Sequence, residues 1–119
     1  EDGASRRVER IFDMAFTRVP FGSIPWEPGG HRLEKKKTLK GRGVGLLEFA
    51  PGFADPNWCE RSHVMYVVEG MIDLEFDEGL VTLSAGQCGV LDRGTRHRAK
   101  NSGDETAIVF IVSDVEIPT

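Results

Sequence analysis

Hydrophobic and polar residues between positions 44 and 113 alternate in short runs that glycine, proline, asparagine and aspartate separate. In one run, Ile72, Leu74 and Phe76 fall on one side of an extended chain, opposite Asp73 and Glu75. The runs predict strands over residues 44–49, 63–68, 71–76, 80–83, 87–91, 97–100 and 106–112. Such strands, without a helical pattern between them, are typical of an antiparallel sandwich or barrel.

The first 43 residues are predicted to form an N-terminal arm and the first strands, packed on the barrel or on a partner subunit. The pattern over residues 8–17 fits a helix and a strand equally well. Prolines and glycines between Pro20 and Gly30 exclude long regular structure there. Residues 44–119 are predicted to form the β-barrel, and the 119 residues to form a single domain overall.

Composition narrows the class of partner. The formal net charge of -4 argues against nucleic acid, whose phosphates require a basic face, and no apolar stretch is long enough to cross a bilayer. Two cysteines are too few for a disulfide framework, so a cytoplasmic location is expected. Cys88 alternates with Val90 and is predicted to lie in the core, whereas His31 is expected to be exposed in its glycine-rich loop.

Turn residues and a histidine stand at fixed intervals within residues 86–101: Gly86, Asp92, Gly94, His97 and Asn101. This spacing resembles the second motif of the cupin superfamily, in which proline stands where this chain has an aspartate, itself a good turn residue. The resemblance implies a small double-stranded β-helix, or jelly-roll, barrel. It also implies that the histidine contacts a metal or a substrate in the barrel cavity.

Residues 52–70 resemble the first cupin motif in frame but not in ligands. Gly52 and Gly70 match its ends, and His63 stands at the position of the family's glutamate. The two registers of the family's His-x-His pair fall on Pro56 with Trp58, or on Asn57 with Cys59. The first metal-binding motif is therefore degenerate, and any metal site must use other residues.

The resemblance implies that His63 and His97 face the same cavity, where Cys59 or Glu60 would complete three protein ligands. A set with the carboxylate suits non-haem iron, and a set with the thiolate suits zinc. The alternatives are structural: hydrogen-bonded barrel histidines, a small buried cysteine, and an exposed ion pair between Glu60 and Arg61. The sequence does not decide which residue faces inward near this turn.

The same alternation predicts the cavity walls. Met65 and Val67 share the side of His63 and are expected to line an apolar pocket, to which Trp58 and Phe110 would contribute at the mouth or wall. Phe53 is a further candidate of this kind. Mostly apolar cavities with a few polar groups suit small organic ligands.

Two functions from different classes remain open. The first is an enzyme that holds zinc or iron through His63, His97 and one or both of Cys59 and Glu60, with an open position for a small molecule. The second is a non-catalytic, metal-free cupin that binds a small molecule in the same cavity. No catalytic acid or base is assigned. By resemblance to other small cupins, a homodimer is expected.

Overall fold

Eleven β-strands and one short 3-10 helix form the regular structure of the computed structural model, which describes residues 8–11, 14–39 and 43–114. The strands are β1 Val8–Ile11, β2 Met14–Thr17, β3 Glu27–Pro28, β4 Glu34–Leu39, β5 Val44–Phe49, β6 His63–Glu69, β7 Met71–Phe76, β8 Gly79–Ser84, β9 Cys88–Leu91, β10 Arg98–Lys100 and β11 Ala107–Ser113. The strands predicted from residue 44 onward are confirmed, as is the antiparallel all-β class. Within the described residues, no helix has the length and apolar character needed to span a membrane.

Two antiparallel sheets pack against each other as the barrel. The larger has the order β3-β4-β5-β11-β6-β9, the smaller has the order β10-β7-β8, and β1 and β2 form a separate hairpin. Residues from both sheets and from the segment after β5 share one core, which consists of Phe49, Phe53, Met65, Val67, Ile72, Leu74, Leu91, Ala107 and Val109. The inward positions of β5, β6, β7, β9 and β11 therefore meet at the centre, as period-two geometry requires.

Gly70 and Asn101, two residues of the predicted motifs, hold the connections between strands. Gly70 has a φ of 74°, and a Cβ there would lie 2.8 Å from the carbonyl oxygen of Thr106, so only glycine fits this tight turn. The amide of Asn101 is buried and donates to the carbonyl oxygens of Phe49 and Glu105, at 3.0 and 2.9 Å. These residues stabilise the barrel and do not face the site.

The N-terminal section contributes to the main sheet as well as to the arm. Residues 8–11 and 14–17 are strands, which decides between helix and strand for that region. The 3-10 helix Phe21–Ser23 follows, and the Phe21 ring meets Phe110 edge-on with centroids 6.2 Å apart. Strand β4 pairs with β5. The large sheet therefore begins before residue 44, the predicted start of the barrel.

The prediction that Cys88 lies in the core is wrong. Cys88 is exposed, and Val90 retains 60% of its accessible surface. Leu91, which lies opposite His63 in the pairing of β9 with β6, points inward, so alternation turns Cys88 and Val90 outward.

Candidate metal centre

A cavity of about 740 Å³ lies inside the barrel, a size that suits a small organic ligand. Its apolar lining includes Phe49, Phe53, Met65, Leu74 and Ile111. Its polar lining includes Cys59, His63 and His97. The candidate ligands therefore border open space in which a further molecule can be held.

Three side chains with metal-ligating atoms converge at this cavity. One donor atom each from Cys59, His63 and His97 all lie within 4.8 Å of one another. The Sγ of Cys59 is 3.4 Å from Nε2 of His63, and the two imidazole rings are nearly perpendicular with centroids 5.1 Å apart. His63 and His97 expose only 8% and 4% of their surface. These three residues are in position to hold a metal ion.

Backbone pairing between distant parts of the chain creates this convergence. The N–H of Cys59 donates to the carbonyl of His97 at 2.8 Å, and the N–H of His97 donates to the carbonyl of Cys59 at 2.9 Å. Residues directly opposite in such a pair project their side chains to the same face. His63 begins β6 and lies opposite Leu91 of β9 and Ser113 of β11.

Hydrogen bonds at Nδ1 orient both imidazole rings. Nδ1 of His97 lies 2.8 Å from the carbonyl oxygen of Thr95; because that oxygen only accepts, Nδ1 carries the proton, and in the neutral ring Nε2 has the lone pair. Nδ1 of His63 lies 3.0 Å from Oγ of Ser113, and its Nε2 faces the thiol of Cys59. Partners on the non-ligating nitrogen are typical of metal-binding histidines.

Burial keeps His63 neutral at physiological pH. The pKa of His63 is lowered from 6.5 to about 4, mainly by burial and further by nearby His97 and Arg61, while Asp114 opposes these effects. The neutral imidazole is the form that binds a metal. His63 therefore needs no deprotonation step at pH 7.

The spacing of the donor atoms fits a tetrahedral ion. Zinc–sulfur bonds of about 2.3 Å and zinc–nitrogen bonds of about 2.0–2.1 Å place sulfur and nitrogen donors about 3.6 Å apart. The separation of Sγ from Nε2 of His63 is 3.4 Å, and no pair in the group exceeds 4.8 Å. Side-chain movements of about 1 Å would bring donor atoms at the largest of these separations to the distance that a tetrahedral zinc ion requires.

Glu60 does not belong to this group, so the set with iron and a carboxylate is not assembled. Its side chain is exposed and borders a separate surface depression. Because neighbours in an extended segment point in opposite directions, an inward Cys59 turns Trp58 and Glu60 outward. Trp58, expected at the cavity, instead borders a side pocket of about 250 Å³ and stacks with Arg96 and Arg98.

The predicted wall residues divide between cavity, core and surface. Met65 and Phe53 line the cavity. Val67 shares the inward phase but is fully buried in the core beyond the cavity. Phe110 faces outward, because it lies opposite the exposed Tyr66, and it packs under the N-terminal arm. The expectations for Val67 and Phe110 are corrected accordingly.

Sequence reasoning missed two polar features of the cavity. Ser113 orients His63, and the only signal for it was its place in the inward series of β11 after Val109 and Ile111. Arg61 and Asp114 also line the cavity and form a bidentate ion pair, with Nη2 2.6 Å from Oδ2 and Nε 3.2 Å from Oδ1. This hydrogen bond with Arg61 lowers the pKa of Asp114.

The sequence profile of the Cupin domain matches residues 45–113, which is more than half of the chain. The chain is a cupin. Its sequence is also 29% identical over 111 residues to Germin-like protein 5-1 of Oryza sativa subsp. japonica. That alignment covers 86% of this cupin but 49% of the relative, so the chain spans about half the length of the curated relative that it matches.

Solved structures show the same fold at low sequence identity. The polyketide cyclase RemF from Streptomyces resistomycificus aligns with a TM-score of 0.67 and 20% identity, over 87% of this cupin and 82% of RemF. A sugar phosphate isomerase from a cupin superfamily, from Silicibacter pomeroyi, aligns with a TM-score of 0.63 and 21% identity, over 83% and 76% of the two chains. KdgF from Halomonas sp. aligns with a TM-score of 0.61 and 20% identity, over 77% and 89%.

Proposed function

We propose that this cupin binds a divalent transition metal through Cys59, His63 and His97 and presents it to a small organic molecule in the barrel cavity. The observation that carries the proposal is the convergence of the three donor atoms within 4.8 Å on the cavity wall. In the degenerate first motif, Cys59 and His63 would thus supply the ligands in place of the family's His-x-His pair and glutamate.

Zinc fits this donor set best. One thiolate and two imidazoles form a soft to borderline set, and three protein ligands leave the fourth tetrahedral position for water or a ligand. Iron was the expectation for a set with Glu60, whose exposed side chain is turned away from the group. A ligand set with Cys59 in place of Glu60 therefore favours zinc over iron.

The cavity walls indicate the class of ligand. Apolar atoms supply the larger part of the surface around the three donors, and Arg61 and Asp114 form an ion pair with each other. Glu34, Asp55 and Arg98 add further charged groups to the cavity wall. A bound metal would supply Lewis acidity toward an oxygen atom of the ligand. We infer that the ligand is a small oxygenated organic molecule, in keeping with the polyketide cyclase and the sugar phosphate isomerase that share the fold.

Metal analysis of protein purified without a histidine tag tests this proposal. We expect close to one transition metal ion per chain, reduced at least tenfold in His63→Ala and His97→Ala. The matched controls are His31→Ala and Cys88→Ser, since neither residue belongs to the group of donors. Folded wild-type protein that stays metal-free after incubation with zinc would contradict the proposal and favour the metal-free ligand-binding alternative.

We also propose that this cupin forms a homodimer through the outer face of the six-stranded sheet. That face presents an apolar surface formed by Val64, Tyr66, Cys88 and Val90. Tyr66 and Val90 retain 43% and 60% of their accessible surface in the single chain. Apolar patches of this kind mark contact sites between proteins.

A further inference from the structure

Trp58 lies in a stack of charged and aromatic side chains beside the barrel cavity, which Arg98 of the stack also lines. The guanidinium carbon of Arg96 is 4.1 Å from the centre of its ring, and that of Arg98 is 4.2 Å away. Two cations this close to one ring exclude each other from the same face by volume and by charge. Residues two apart on an extended segment are separated by about 7 Å, which leaves room for an indole between their side chains.

Both arginines of this stack are tied to the smaller sheet. Nε of Arg96 donates to Oδ1 of Asp77 at 3.2 Å, and Nε of Arg98 donates to Oε1 of Glu75 at 2.8 Å. Glu75 belongs to β7 and Asp77 follows that strand directly. The ring of Trp58 is therefore held between two side chains whose own positions are fixed from the other side.

The residues of the stack are the sequence neighbours of two of the proposed metal ligands. Trp58 precedes Cys59, and Arg96 and Arg98 flank His97. Cys59 and His97 meet in an isolated bridge outside the named strands, joined by their two reciprocal backbone hydrogen bonds. Side chains on one face of this bridge supply metal donors, and those of the neighbouring residues on the other face supply the stack.

We propose that Trp58 is a positioning residue for the metal centre: its stack with Arg96 and Arg98 fixes the spacing of the Cys59 and His97 donor atoms. The inference rests on the proposed metal site and assigns to Trp58 a role that differs from lining the cavity. Residues that orient metal ligands typically contribute about 10- to 100-fold to metal affinity. A loss of that size is the expected consequence of removing the ring.

Titration of the metal-free protein with Co²⁺, followed by visible absorption, tests this inference. Wild type is expected to show tetrahedral cobalt bands and a thiolate-to-cobalt charge-transfer band. Trp58→Ala is expected to bind Co²⁺ about 10- to 100-fold more weakly, with a weakened charge-transfer band, and Trp58→Phe to recover most of the affinity. The matched control is Trp26→Ala, which removes the ring that Lys37 Nζ approaches at 4.7 Å.

The possible results separate the inference from the proposed function. Absence of Co²⁺ binding by the folded wild type removes the metal site itself and the inference with it. Wild-type affinity and an unchanged cobalt spectrum in Trp58→Ala overturn the positioning role alone. If that variant does not fold, Arg96→Met removes one stacked cation at an exposed position and is expected to weaken Co²⁺ binding severalfold; unchanged binding there overturns the inference as well.

Discussion

Acidification is expected to destabilise the metal-free protein through His63. The pKa of this imidazole is about 4 in the folded protein, below its ordinary 6.5, so the unfolded chain binds more protons between these values. The free energy of unfolding should therefore fall as the pH decreases from about 6.5 to about 4. Below that range the contribution of His63 is completely lost. At about 1.4 kcal/mol per pKa unit the difference corresponds to about 3 kcal/mol, which solvent in the open cavity screens to about 2 kcal/mol.

Urea unfolding in the presence of a chelator measures this effect. Wild type and His63→Gln are compared at pH 7 and pH 4.5, and the loss of stability in the variant is subtracted from that in wild type. Because carboxylates contribute to both proteins, the difference isolates the histidine. His31→Gln, which retains His63, should lose as much stability as wild type between these two pH values. Equal losses in wild type and His63→Gln would refute the reasoning.

Three further substitutions test separate parts of the structure. Cys59→Ser should weaken zinc binding by about 100-fold in a chelator competition, whereas Glu60→Gln should leave it unchanged. Weaker binding in Glu60→Gln and unchanged binding in Cys59→Ser would instead support a ligand set that contains Glu60. Asn101→Ala should cost about 3 kcal/mol in urea unfolding, because one buried and one partly buried carbonyl lose their donor; a cost below about 1 kcal/mol would contradict this. Val90→Lys should shift a dimer to monomer in sedimentation, whereas Leu80→Lys on the smaller sheet should not; a monomeric wild type would exclude the dimer.

The strands were predictable from the sequence because their signal is local. Alternation over a few residues, ended by a turn residue such as Gly70, defines a strand without reference to the rest of the chain. The regular spacing of those strands indicated the fold class. The second motif, which departs from the family only at Asp92, indicated that His97 faces the cavity. The region from residue 8 to 17 lacked this signal, so its sequence fitted a helix and a strand equally well. The antiparallel pairing of β1 with β2 shows that it is a strand pair.

The ligand set could not be decided in the same way. Whether Cys59 or Glu60 faces inward depends on the pairing of that segment with His97, a contact between distant parts of the chain. Likewise, period two shows that Cys88 and Phe110 share a face with their alternate neighbours but not which face is covered. Outward apolar residues of a sheet therefore resemble core residues when only the sequence is read.

X-ray absorption on the zinc-loaded protein tests the proposed metal centre most directly. We expect one sulfur ligand at about 2.3 Å and two imidazole nitrogens at about 2.0–2.1 Å, with the sulfur shell lost in Cys59→Ser and retained in Cys88→Ser. A shell of oxygen and nitrogen alone in the wild type, unaffected by Cys59→Ser, would contradict the proposed set of Cys59, His63 and His97.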